Sequence, residues 1–251
     1  MFRKKFPRLY ELGDQVEESG SYFHDFDNFL QTESLLQTDS PVLKVYRAKE
    51  KLLQGLDSAS WDFFKKEARP YLIKRDKTNG RGWQQLSDII NQAGAYNFLK
   101  TIGCSSIHFI PQSRNKGIET PDLQGIIDSV KVLCEVKTIN ISDEEAQARC
   151  GDITREIKAQ LEQGFFNKLM SDLTKAEKQL KAYDTDKEAR HLAYIIINFD
   201  DFLTRNKESY FQQIDQYLSE NTAPGIDVVF HNQVTCFHKT ITMKYATVFN
   251  E

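Results

Sequence analysis

Long apolar runs are missing from this 251-residue sequence. No stretch approaches the roughly 18 residues that a membrane span needs. The opening MFRKKFPRLYEL lacks the apolar segment of a signal peptide, so a cytoplasmic protein is expected. Cysteine is scarce. Cys104, Cys134, Cys150 and Cys236 include no C-x-x-C pair, which argues against a disulfide framework or a cysteine-built zinc site and for buried free thiols. The histidines show no ligand spacing with cysteine, and His108 and His191 lie in apolar runs that suit core histidines. There is no phosphate-binding glycine loop and no G-x-S-x-G, so NTPase and hydrolase-triad chemistries lack support. Excess positive charge is missing too. The formal net charge is -3, so any nucleic-acid contact must come from a local basic surface. What is there, 40% hydrophobic and 27% charged residues, is the mixture of a globular protein with a sizeable core.

Residues 1–80 read as helical. Ser21 to Leu36 is expected to form a helix with Phe26, Phe29 and Leu30 inward. Ser40-Pro41 is a helix start, with Val42, Val45, Leu52 and Leu53 as the apolar stripe and an end near Gly55. Ser60 is expected to cap a second short helix carrying Trp61, Phe63 and Phe64, which Arg69-Pro70 ends. Lys74, Arg75, Lys77 and Arg81 follow, either a solvated linker or a phosphate-contacting stretch. An amphipathic helix with Leu86, Ile89, Ile90 and Ala93 on one face comes next, then a strand from Cys104 to Ile110.

The chain is organised around Gly117 to Ile141. Leu123–Ile127 and Val130–Ile141 read as a hairpin with Asp128-Ser129 as its polar turn. Three charges sit where a buried strand disfavours them: Asp122, Glu135 and Lys137. Glu135 and Lys137 are two apart and share a face. A two-residue turn sets Asp122 opposite Glu135; a four-residue loop sets it opposite Lys137. Either register gathers two carboxylates and an ammonium on one face.

Beyond the hairpin, Ser142 and Glu145 read as a capping box, with an interruption at Cys150-Gly151. Leu161, Phe165, Leu169, Leu173, Ala176, Leu180 and Tyr183 then form a helical stripe. Lys168, Lys175, Lys178 and Lys181 lie off it and read as a solvated face. His191–Phe199 suits a central strand covered on both faces, ended by Asp200-Asp201. Lys207–Leu218 is a helix, Ile226–Phe230 a strand, and Val234–Phe237 with Thr240–Met243 an edge hairpin. The expected fold class is α/β, with a mixed sheet centred on the hairpin.

Pro121-Asp122, a gap, then Glu135-Val136-Lys137, within a helix–hairpin–helix–strand–helix–strand order, resembles the PD-(D/E)XK nuclease superfamily. The resemblance spans roughly Arg81 to Phe230. It implies a restriction-endonuclease-like sheet flanked by helices over residues 81–251, with 1–80 as a helical extension for DNA recognition or dimerisation. It implies Mg²⁺, with Mn²⁺ as a substitute, held by Asp122, Glu135 and the Val136 carbonyl. Lys137 would orient the attacking water and stabilise phosphoryl charge, and the product would carry a 5′-phosphate. DNA is the expected partner, with a homodimer if both strands are cut. The reaction class is an endonuclease of restriction, recombination or mobile-element type; the alternative is a non-catalytic module on the same fold. Secondary candidates are Glu119, Asp128, Lys158 and Gln160. The helix before the hairpin offers Gln84, Gln85 and Asp88 but no clear glutamate, where family members often carry another acid or a glutamine.

Overall fold

The computed structural model describes residues 2–17, 21–36, 40–73, 84–113, 119–140, 160–185, 187–198, 207–221, 225–232 and 240–242. The chain divides into two units, Met1–Asn97 and Phe98–Glu251. The first is helical: α1 (Pro7–Gly13), α2 (Phe26–Leu36), α3 (Pro41–Gln54), α4 (Ser58–Ala68) and the start of α5 (Gln84–Thr101). Leu9, Leu12, Leu30, Leu53, Trp61 and Phe64 fill its core. Phe29, expected inward, is an exposed large hydrophobic, although its ring lies 5.7 Å from that of Tyr46. Phe26 and Leu30 take the inward positions, because residues four apart share a helix face more closely than residues three apart straddling it.

The helix starts differ from the simple signals. Pro41 does open α3, but no side-chain cap bond from Ser40 accompanies it. In α4 the cap is Asp57, not Ser60. The Asp57 carboxylate accepts from the Ser60 backbone N–H at 2.7 Å, so Ser60 lies inside the first turn. α1 has Phe6 at its N-cap and hence no local acceptor. Glu50 on α3 supplies one instead, accepting from Arg8 N at 3.0 Å and Leu9 N at 2.9 Å.

α3 ends at Gly55 with φ -70, a value open to any residue, so the glycine is there for space. A Cβ would fall 1.8 Å from Asn97 Oδ1. The Asn97 amide is pinned by donating to Leu52 O at 2.8 Å and Ala93 O at 2.7 Å. Gly55→Ala is therefore expected to cost about 1–3 kcal/mol, as overpacking does. A denaturant midpoint equal to that of the parent would refute the account.

The second unit is a mixed α/β sheet, as its apolar patterning foreshadows. Strands β1 (Ser105–Phe109), β2 (Leu123–Ile127), β3 (Val130–Asn140), β4 (Arg190–Asn198) and β5 (Asp227–Asn232) lie side by side in chain order. A short β6 (Thr240–Thr242) runs antiparallel along β5. β1, β2 and β3 are antiparallel neighbours, while β3, β4 and β5 are parallel. Parallel neighbours need crossovers, and α6 (Gln163–Tyr183) and α7 (Lys207–Glu220) lie in them. Both helices cover one face. Leu169, Leu173, Ala176 and Leu180 of α6 and Ile214 and Leu218 of α7 pack with Leu133, Ala193, Ile195, Val228 and Phe230. On the other face, Phe98 at the end of α5 lies 5.6 Å from the Tyr194 ring. β4 is thus buried on both faces, which its all-apolar run requires. Tyr183 ends the α6 stripe exposed rather than buried.

β1 is the outer strand and reads differently from its expectation. His108 is exposed, with Nδ1 3.0 Å from Ser106 O, not a core histidine. A register shift between Ser105 and His108 and a positive φ of 51 at Ser106 bend the strand, a common way of blunting a sheet edge. Cys104 and Cys134 are buried free thiols. Among the described residues no helix is long and apolar enough to cross a membrane. The expected 142–145 capping box, the 150–151 interruption, Phe199 to Asp201, Val234–Phe237, Met243, Cys150 and Cys236 lie outside the described residues.

Candidate metal and phosphate site

The hairpin has the two-residue turn. Ile127 pairs with Val130 and Leu123 with Cys134, so the register carries Asp122 opposite Glu135. Asp128 and Ser129 both have positive φ, 49 and 66, which is the backbone of a type I′ turn. Aspartate tolerates that region; serine is strained there by about 1–2 kcal/mol. Ser129→Gly is expected to raise stability by about 0.5–1 kcal/mol net, since glycine removes the strain but adds unfolded-state freedom. An unchanged or lowered melting temperature would contradict this.

Asp122 is fixed from both sides. Its N–H donates to Cys134 O at 3.1 Å, and its carbonyl accepts from Ile110 N at 2.9 Å. Its carboxylate does not cap a local turn. Oδ2 accepts from Val136 N at 2.8 Å, from a residue 14 positions along. In a strand the N–H and C=O of one residue point to the same edge. The Val136 carbonyl therefore faces the Asp122 edge, away from β4. Among the described residues β2 pairs no further than Cys134, so this edge of β3 has no strand partner beyond the point where Asp122, Glu135 and Val136 meet.

Glu135 is buried at 3% exposure, so it is not half of an ion pair on a wetted strand. Its Oε1 accepts from Lys137 Nζ at 2.6 Å, and its Oε2 from Gln179 Nε2 at 2.8 Å. The Gln179 amide also donates to Thr120 O at 2.7 Å, tying α6 to the segment leading into Asp122. Lys137 is half-buried beside them.

Burial sets the electrostatics. It pushes the Asp122 carboxyl up to about 6, against the pull of the Val136 N–H and the Lys137 charge. It pushes the Glu135 carboxyl up to about 8, helped by the Asp122 charge and opposed by Lys137. Burial disfavours the Lys137 ammonium, but the Glu135 charge and hydrogen bond and the Asp122 charge outweigh it and raise its pKa. The two carboxylates thus favour the ammonium form of Lys137.

Among the described residues no three His, Cys, Asp or Glu side chains gather into a cluster that could hold a metal. What the site offers is two carboxylates and a backbone carbonyl. That all-oxygen set suits Mg²⁺, which keeps several waters and takes one or two carboxylates plus phosphate oxygens. The donors fit a hard divalent cation, and the cation would relieve the charge that burial now opposes.

The other candidates fall elsewhere. Glu119 is exposed but raises the Glu135 pKa through space. Asp128 is an exposed turn residue, and Gln160 is exposed before α6. Gln85 is exposed and Asp88 half-buried on α5, within the first unit. Lys74, Arg75, Lys77, Arg81 and Lys158, and the Gln84 side chain, lie outside the described residues. Two residues were missed. Gln179 bridges Glu135 and Thr120, and buried Asp172 takes Lys168 Nζ at 2.6 Å and adds to the field at Lys137. They are seven apart on α6 and border its apolar stripe, a polar pair at heptad spacing that the sequence does display. No protein-family model, curated protein or solved structure matches this chain, so its chemistry has to be read from these residues themselves.

Proposed function

We propose that the second unit is a metal-dependent phosphodiesterase acting on DNA, on a sheet of the restriction-endonuclease-like kind. The observation that carries this reading is the convergence of Asp122, Glu135, Val136 and Lys137 at one open strand edge, with both carboxylates buried. An antiparallel β1–β2–β3 meander followed by parallel β4 supports the fold assignment. Asp122, Glu135 and the Val136 carbonyl would hold Mg²⁺ or Mn²⁺. When bound, the metal supplies an acidified water and a polarised phosphate.

The protein's own residues do the rest. The Val136 N–H orients the Asp122 carboxylate, and Gln179 orients that of Glu135. Lys137 places a preformed positive charge where a phosphoryl oxygen gains negative charge, and it can orient a water through its remaining N–H groups. Glu135 is itself buried, beside Ala193 in the β3–β4 register, which keeps bulk water from its carboxylate.

The direct test is incubation with supercoiled and linear DNA in Mg²⁺ or Mn²⁺, beside EDTA and a Lys137→Ala variant. The expected result is cleavage that requires metal and disappears in the variant, with product sizes separating internal from end-directed cutting. A second readout is thermal stability, which the metals should raise in the parent and not in Asp122→Asn. Folded protein that neither cuts DNA nor is stabilised by metal would leave the cluster as a non-catalytic element and overturn the reading.

A further inference from the structure

α6 carries a second feature beside this site. Lys168, Asp172, Lys175 and Gln179 are spaced four, three and four apart, so at 100° per residue they form one stripe. The stripe borders the apolar face of Leu169, Leu173, Ala176 and Leu180, with Asp172 and Gln179 buried and Lys168 and Lys175 exposed. It is the flank whose lower end, Gln179, reaches Glu135 and Thr120. The flank therefore overlooks the edge of β3 that β2 leaves open beyond Cys134. Anything that reaches the two carboxylates through that edge passes alongside it.

The lysines on α6 differ in their partners. Lys168 is neutralised by Asp172, and Lys181 by Glu177 at 2.7 Å. Lys175 lies in the stripe between Asp172 and Gln179, and Lys178 next to it on the outer side. Both are exposed, and neither forms an ion pair with any described residue. Unpaired lysines occur elsewhere in the chain, Lys187 among them, but Lys175 and Lys178 are the ones set on the flank of α6 beside the candidate phosphate site. With a rise of 1.5 Å per residue, Lys175 is about 6 Å along the helix from Gln179, within reach of phosphates one or two nucleotides from the one being cut.

We propose that Lys175 and Lys178 form a phosphate-contacting ridge that holds one polynucleotide strand against the site. The inference rests on the phosphodiesterase reading for its location, but its test does not depend on cleavage. The salt dependence of binding counts the phosphates neutralised, about 0.9 in slope per contact on duplex DNA. The experiment compares the parent with Lys175→Gln/Lys178→Gln and with Lys181→Gln/Lys187→Gln, which carries the same charge change on exposed lysines elsewhere in this unit. Binding of a fluorescent DNA duplex is measured in EDTA across a salt series, with melting curves to verify folding. The ridge variant is expected to lose about 1.8 from the slope of log K against log salt, and about tenfold in affinity at low salt. The control should keep both. Equal slopes in the two double variants, or no binding of duplex by the parent, would overturn the ridge. Lys137→Ala separates the two proposals. If it abolishes cleavage while the ridge variant keeps the parent slope, the phosphodiesterase stands and the ridge fails. If the parent never cuts DNA but only the ridge variant loses slope, the ridge stands without the catalysis.

Discussion

Replacing Glu135 with glutamine is expected to do two things at once: cut metal-dependent cleavage by about 10³-fold or more, and flatten the pH dependence of stability in metal-free protein. The first effect follows from losing one of two carboxylates at the site. The second follows from linkage. In the fold, burial and the Asp122 charge hold the Glu135 carboxyl up to about 8, whereas its ordinary value is 4.5. The folded state then binds that proton more tightly than the unfolded chain does. The stabilisation is complete below the ordinary value and is lost as pH rises through the folded value. Metal-free parent protein should therefore weaken between about pH 5 and pH 8. A rise from 4.5 to about 8 corresponds, at about 1.4 kcal/mol per unit, to at most about 5 kcal/mol, and relaxation of the buried site on ionisation brings the loss to about 1–3 kcal/mol. Glutamine has no proton to lose and should show less than half of that decline. Mg²⁺ or Mn²⁺ should restore the parent at pH 8 and leave the variant unmoved. Melting curves from pH 5 to 8, with and without metal, decide it. Parallel curves for the two proteins would mean that Glu135 is not the group burial has strained.

The hairpin was legible because three independent signals agree on it. The polar gap between two apolar runs is only two residues long, Glu135 and Lys137 fall on one face of their strand, and Pro121 marks the entry. Each of these is local; they left two registers open, and the structure takes the one that pairs Ile127 with Val130. The central strand β4 was legible for a similar reason, since a run as apolar as Leu192–Ile197 can be buried only on both faces. What failed to show was whatever depends on which elements meet. Asp57 rather than Ser60 caps α4 because both are cap-competent residues, and only the helix start chooses between them. Phe29 looks as inward as Phe26 until the packing of α2 fixes which side of the stripe faces the core. Gln179 is the clearest case at the site. A glutamine bordering a helical stripe is ordinary; it becomes a partner of Glu135 only because α6 crosses β3 at that height. His108 reads as apolar by its neighbours, but β1 turned out to be an outer strand exposed along most of its length, with only Phe109 buried.

Glu50 shows the same dependence on tertiary structure, and its substitution should have a large effect on stability. α1 is only seven residues long and too short to persist alone. Its N-cap residue Phe6 has no side-chain acceptor, so the backbone N–H groups of Arg8 and Leu9 depend on another part of the chain. Glu50, buried at 3% exposure, accepts from both with its two oxygens, and Gln54 Nε2 donates to Oε1 at 2.7 Å. Such bonds to an ionised group contribute about 1.5–3 kcal/mol each, and the helix N-terminus adds a favourable field. Part of this is offset by the cost of burying the charge. Glu50→Ala is therefore expected to destabilise the first unit by about 2–4 kcal/mol, because it strands the buried Leu9 N–H and the part-buried Arg8 N–H. Glu50→Gln keeps one acceptor and the shape, and should cost about half as much. Trp61 makes the measurement specific to this unit: its indole N–H donates to Glu11 of α1 at 2.8 Å, and its ring stacks on Phe64. Its fluorescence in a denaturant titration should report the loosening of α1 from α4. An alanine variant with an unshifted midpoint would mean that α1 is held by its apolar contacts through Leu9 and Leu12, with the remote cap contributing nothing measurable.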